Sequence, residues 1–130
     1  MTERISPDKI DSLEEDQVFV FGSNLAGSHG AGAAATAMDK FGAIWGQGVG
    51  MQGQSYAIPT MHGGIDEIKP YVDEFIQFAR NNGYLTFLVT RIGCGIAGFS
   101  DKEMAPLFED AINLDNVYLP KSFVDIILGK

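Results

Sequence analysis

Two glycine-rich stretches hold the residues of this chain best suited to chemistry. The first, G-S-N-L-A-G-S-H-G-A-G at residues 22 to 32, carries Asn24 and one of the two histidines, His29. The second, R-I-G-C-G-I-A-G-F-S at residues 91 to 100, carries Arg91 and the single cysteine, Cys94. Glycine pays more conformational entropy on folding than other residues, so a cluster of glycines needs a compensating reason. The usual one is that something negatively charged must come close to the backbone. Loops that run into helix starts offer free N–H groups and the positive end of a helix dipole, which together suit a phosphate or diphosphate.

The side chains of these loops extend that chemistry. Asn24, at the exit of an apolar run, reads as a ligand contact or as a cap for its own loop. His29 reads as a general base on water, as a phosphate ligand, or as a surface histidine in a turn. Cys94 lies between two glycines near a helix start, a setting that lowers a thiol pKa, and His29 is the base it would need as a nucleophile. A tight loop equally favours a small residue there. Arg91 suits bidentate contact with phosphate, or with one of the many carboxylates. Gly22, Ser23, Gly30 and Gly32 in the first loop, and Gly93, Gly95, Ile96, Ala97, Gly98 and Phe99 in the second, complete the candidate ligand-binding set.

The elements that must position these residues alternate along the chain. Q-V-F-V-F, 17 to 21, reads as a strand, and the alanine-rich stretch from Gly30 to Lys40 as a helix ending near Gly42. A glycine-studded link leads to a strand Q-S-Y-A-I-P-T at 54 to 60. Ile65, Ile68, Val72, Phe75, Ile76 and Ala79 then fall at helical spacing, with Asp66 as a cap, Pro70 in the first turn and Gly83 at the end. A nearly continuous apolar run at 84 to 92 suits a strand covered on both faces. S-D-K-E at 100 to 103 has the form of a capping box opening a helix to about Asn113. A short strand at 116 to 120 and a helix from Ser122 to Leu128 close the chain, while S-P-D-K near the N-terminus reads as a short helix or turn. This alternation predicts a single domain over residues 1 to 130, an α/β fold built as a three-layer α/β/α sandwich with a mostly parallel central sheet. Parallel pairing brings both glycine loops to one sheet edge, where such folds bind ligands.

Bulk properties narrow the classes. The 130 residues carry a formal net charge of -8, which disfavours nucleic-acid wrapping and docking on anionic membranes. One small phosphorylated ligand held by local N–H groups remains compatible. No His, Cys or carboxylate spacing suggests a metal site, one cysteine excludes an internal disulfide, and a cytoplasmic location is the expectation. No Gly-Lys-Ser/Thr follows the first loop, so it is not a P-loop. Its spacing also fits the dinucleotide fingerprint poorly, and no cofactor is expected.

The strand, the Asn-bearing small-residue loop and the alanine-rich helix of V-F-G-S-N-L-A-G-S-H-G-A-G-A-A-A-T-A resemble the ADP-ribose-binding macro domain. T-R-I-G-C-G-I-A-G-F at 90 to 99 is similar to the family's diphosphate-wrapping loop. Q-S-Y-A-I-P-T corresponds to its strand ending in proline. The resemblance covers about residues 18 to 112. It implies that Asn24 hydrogen-bonds the distal ribose, that Gly30 and Gly32 admit the ligand to the backbone, that residues 93 to 98 line the diphosphate, and that Phe99 flanks the distal ribose. No aspartate follows the first strand to match the family's adenine-binding acid, and His29 is not a usual residue at its place. The expected function is binding of ADP-ribose or a related nucleotide diphosphate. In a hydrolase of ADP-ribosyl linkages the catalytic residues would be Asn24, orienting the distal ribose, and His29, with His29 or a substrate-fixed water supplying the base. Two rival readings are a Cys-dependent hydrolase or transferase using Cys94 with His29, and a non-catalytic protein-interaction module whose glycines are structural. Trp45, Gln47, Met51, Gln52 and Gln54 read as a lid or base-recognising segment, and His62 as a second imidazole facing the same pocket.

Overall fold

The computed structural model describes residues 4–130. Strand β1 (Gln17–Ser23) leads to helix α1 (Gly32–Lys40), then to strands β2 (Gly50–Gln52) and β3 (Ser55–Pro59). Helix α2 (Ile65–Asn81), strand β4 (Thr86–Val89) and helix α3 (Asp101–Met104) follow. A 3-10 segment (Ala105–Ala111), strand β5 (Val117–Tyr118) and helix α4 (Lys121–Ile127) complete the order. The result is an α/β fold whose five strands form one sheet in the order β2-β3-β1-β4-β5. All neighbours pair in parallel except β2 with β3.

Alternate residues of β1 serve two separate clusters, as the two-residue period of a strand dictates. Val18 and Val20 pack with Ile68, Val72 and Phe75 of α2, with Phe108 and with Phe123 of α4. Phe19 and Phe21 pack with Ala34 and Ala37 of α1, Phe41 and Ala57. A strand buried on both sides has no solvated face to tolerate polar residues, which explains the unbroken apolar run.

The connections create the crevice that matters for function. From β1 the chain passes to β3 on one side, and from β4 it passes to β5 on the other. Loops leaving β1 and β4 therefore diverge at the carboxyl edge, the arrangement that opens ligand sites in parallel sheets.

Several expected boundaries are corrected. The glycine-studded link contains β2, whose Met51 pairs with Tyr56 as an antiparallel hairpin. Helix α2 starts at Ile65, so Pro70 lies inside it rather than in the first turn, and with no N–H it cannot donate to the Asp66 carbonyl four residues back. Glu67, not Asp66, serves the helix start, accepting from the Gly64 N–H at 3.0 Å. The capping box at Ser100 forms as expected: Ser100 Oγ accepts from the Glu103 N–H at 3.2 Å, and Glu103 accepts from the Ser100 N–H at 2.9 Å. The helix it opens ends early, because Pro106 cannot donate and the chain tightens to a 3-10 segment. The N-terminal S-P-D-K forms no helix. Ile5 bridges to Leu119, and Ser6 Oγ donates to the Val89 carbonyl at 2.7 Å.

Candidate functional site

A cavity of about 500 Å³ opens at the carboxyl edge of the sheet. Three parallel strands deliver its walls. The end of β1 supplies Gly22 and Ser23, the loop after it Asn24, Ser28, Gly30 and Ala31, and the first turn of α1 Gly32, Ala33 and Ala34. The residues directly after β3 supply Thr60 and Met61, and the loop after β4 supplies the run from Thr90 to Ala97. Both glycine loops thus meet in one cavity, as parallel pairing requires.

Its principal polar resource is backbone. Helix α1 has no side-chain cap, and its first intrahelical bond runs from the Ala35 N–H to the Ala31 carbonyl. The first-turn N–H groups of Gly32, Ala33 and Ala34 therefore have no helical acceptor, as at any helix start. In the second loop, the N–H groups of Gly93, Gly95, Ile96 and Ala97 donate to no acceptor among the described residues. The turn that holds them is closed by two bonds from outside the cavity lining, Gly98 N–H to the Gly95 carbonyl at 3.0 Å and Phe99 N–H to the Gly93 carbonyl at 2.8 Å. Gly93 needs to be glycine: its φ is +80°, and a Cβ there would press on the Met104 sulfur at 2.8 Å.

The first loop is fastened from behind. Asn24 Nδ2 donates to the Ser28 carbonyl at 3.1 Å, and Asn24 Oδ1 accepts from the Ser28 N–H at 2.9 Å. Ser23 Oγ donates to the Gly48 carbonyl at 2.5 Å, and the Gly46 N–H donates to the Gly27 carbonyl at 2.9 Å. Gly48 makes this contact possible, since a Cβ there would overlap the carbonyl oxygens of Asn24 and Leu25. Of the two readings of Asn24, the self-capping one is observed. The side chain also lines the cavity.

His29 is not where a base or a phosphate ligand would have to be. It is 2% exposed, does not line the cavity, and packs its ring edge against Phe21. Its Nε2–H points to the Gln47 carbonyl at 2.9 Å and Gln52 Oε1 at 3.2 Å, both acceptors. The imidazole is a buried fastener between the β1 loop and the segment before β3. Gln52 completes that network by accepting the Ile44 N–H at 2.8 Å. Gln47 and Gln52 are therefore spent on the loop itself, and Gln54 donates to the carbonyls of Glu14 and Gln17. None of them lines the cavity, nor does Trp45, which is 60% exposed elsewhere on the surface. His62 also lies outside the lining, donating to the Glu67 carbonyl at 2.9 Å beside Tyr71.

Cys94 lines the cavity, but its chemistry is the reverse of the expectation. Burial pushes the thiol up to about 11, and the hydrogen bond it gives to the Asp101 carboxylate, with that group's negative charge, pushes in the same direction. A short helix start does not offset a carboxylate 3.4 Å from the sulfur. Without thiolate character, and with His29 in another network, the nucleophile–base pair is not assembled.

Arg91 lines the cavity while pairing with Asp101, its Nε to Oδ1 at 3.0 Å and its Nη2 to Oδ2 at 2.9 Å. Asp101 is held below the usual carboxylate range chiefly by that hydrogen bond, with Cys94 and Ser122 adding theirs. Gly98 and Phe99 stand outside the lining, and Phe99 packs on the larger core cluster instead of flanking a ligand. Ser28, Thr60, Met61 and Thr90 line the cavity without having been singled out in the sequence. Thr60 and Thr90 were findable, since both follow parallel strands directly.

No Asp or Glu among the described residues lines the cavity, and Arg91 is the one charged residue in the lining. Among the described residues, no group of three or more His, Cys, Asp or Glu could hold a metal ion. No described helix is long and apolar enough to cross a membrane. Comparison with protein-family models, with curated proteins and with solved structures gave no match, so the functional reading rests on the geometry of this cavity.

Proposed function

We propose that the cavity binds ADP-ribose or a related nucleotide diphosphate, on a three-layer α/β/α scaffold of the macro-domain kind. One observation carries this reading: two sets of unpartnered backbone N–H groups, from the start of α1 and from Gly93 and residues 95 to 97, belong to the lining of one cavity in which, among the described residues, no Asp or Glu takes part. Neutral donors preset by the fold suit a linked pair of phosphates, because they need no rearrangement to meet the charge. Asn24, spent on Ser28 through one N–H and one lone pair, keeps a second N–H and further acceptor capacity for a ribose hydroxyl.

The activity proposed is binding without turnover. Hydrolysis of an ADP-ribosyl linkage by a protein base needs one beside the water, and among the described residues neither an imidazole nor a carboxylate lines the cavity. The test is an amide-resolved NMR titration with ADP-ribose, with AMP and NAD as comparators. The N–H signals of residues 32 to 34 and 93 to 97 should move together and saturate together. Shifts confined to one loop, or to neither, would sink the shared-cradle reading.

A further inference from the structure

We propose that Arg91 provides the charge contact of the cavity and that Asp101 is the residue that positions it. The proposal rests on the anion-binding reading above and adds the residue that converts a neutral cradle into a charge-selective one.

The geometry is specific. A guanidinium has five N–H donors in a fixed fork. Asp101 takes one from Nε and one from Nη2 of Arg91, so both hydrogens of Nη1 and one of Nη2 have no protein acceptor among the described residues. The Arg91 side chain is 59% exposed and lines the cavity, so these donors face no packed wall that would prevent an anion from reaching them. Nine lysines and arginines are spread over the chain, and this is the only one in the lining.

Asp101 is itself immobilised. Its Oδ1 accepts from Cys94 Sγ at 3.4 Å and from Ser122 Oγ at 3.2 Å, besides Arg91 Nε. It sits directly after Ser100, the cap of α3, whose box with Glu103 fixes the backbone there. Four hydrogen bonds thus orient the carboxylate and, through it, the guanidinium. A plain surface ion pair would contribute little and select nothing. An arginine held side-on at the rim of an N–H-lined cavity loses less freedom when it meets a phosphate.

The experiment is a double-mutant cycle read by calorimetric titration with two probes, ADP-ribose and inorganic pyrophosphate. Arg91→Gln should weaken ADP-ribose about ten- to a hundredfold, the range for a hydrogen bond to a charged group. Asp101→Asn removes a negative charge near the ligand, so simple electrostatics predicts tighter binding. Positioning predicts weaker binding by a smaller factor, and no further loss when Asp101→Asn is added to Arg91→Gln. The melting temperature of Arg91→Gln should stay close to the parent, since that side chain is exposed, while Asp101→Asn, which is partly buried, lowers it modestly without unfolding the protein at the titration temperature. Unchanged affinity in Arg91→Gln overturns the proposal. Tighter binding in Asp101→Asn, or an equal loss with and without Arg91, overturns the positioning role. Failure of the parent to bind ADP-ribose while it binds pyrophosphate through Arg91 would overturn the nucleotide reading and leave this one standing. Failure to bind either probe overturns both.

Discussion

The Nε2–H of His29 donates to the carbonyl of Gln47 at 2.9 Å, deep under the loop that forms one wall of the cavity. Two segments 18 residues apart are tied by this bond, and Gln52 shares the same imidazole proton. The relationship converts the most obvious catalytic candidate into a structural one.

His29→Ala should therefore unfold more easily. It removes a buried ring and the bond that ties the loop to Gln47, whose carbonyl keeps Gln52 Nε2 as a donor while Gln52 Oε1 keeps the Ile44 N–H. The loss is mainly that of the packed ring, about 2–4 kcal/mol. Thermal or denaturant melts measure this, and ligand affinity should fall only as the loop loosens. A variant that melts like the parent yet loses a hydrolytic activity would reinstate His29 as a base.

Two glycine substitutions separate fold from ligand. A Cβ on Gly95 meets nothing within 4 Å, so Gly95→Val should leave the melting temperature nearly unchanged and reduce ADP-ribose affinity by about tenfold or more, by crowding the turn of free N–H groups. Gly48→Ala should do the opposite, destabilising the fold by about 2 kcal/mol or more as the first loop is forced off the segment it packs on. Equal effects of both on stability would mean that residues 93 to 97 are packed rather than open.

Asn24 should respond differently to two replacements. Asn24→Ala loses both hydrogen bonds to Ser28, at about 1–2 kcal/mol of stability. Asn24→Asp keeps the acceptor for the Ser28 N–H and should cost less stability. It also places a carboxylate in the lining, so diphosphate affinity should fall further than in the alanine variant. Titration and melting of the pair check the crossover.

Cys94 should be a slow nucleophile. With its thiol pushed up to about 11, roughly one molecule in a thousand is thiolate at pH 8, against about a quarter for an ordinary cysteine. Iodoacetamide labelling followed by mass should accelerate about tenfold per pH unit between 8 and 10. The stability contributed by keeping this thiol protonated is complete below the ordinary thiol range and is lost as pH rises from there toward 11. The Asp101 contribution runs the other way, present above the ordinary carboxylate range and lost as pH falls below it. Cys94→Ser, which keeps a donor for Asp101, should bind ADP-ribose like the parent. Rapid labelling at pH 7 would contradict the assignment.

Much of the scaffold was legible from local pattern. The apolar runs of β1 and β4, the periodic face of α2 and the Ser100 box follow from strand burial, helical spacing and capping, which are short-range effects. Convergence of both glycine loops was also legible, because parallel pairing fixes which ends of the strands meet. The β2 hairpin was not, since its Gly50, Met51 and Gln52 carry no alternating pattern and are held by pairing with β3. The roles of His29 and Cys94 were hidden for a related reason. Residue type and neighbouring glycines suggested reactivity, whereas Gln47, Gln52 and Asp101, brought in by the fold, decide what each side chain does.

The most direct test of the central claim is calorimetric titration of the folded protein with ADP-ribose. Micromolar binding corresponds to about 8 kcal/mol and is readily measured. The account predicts saturable one-to-one binding that weakens in Gly95→Val without loss of fold. Absence of heat and of any competition by ADP-ribose, with the parent folded, would contradict it.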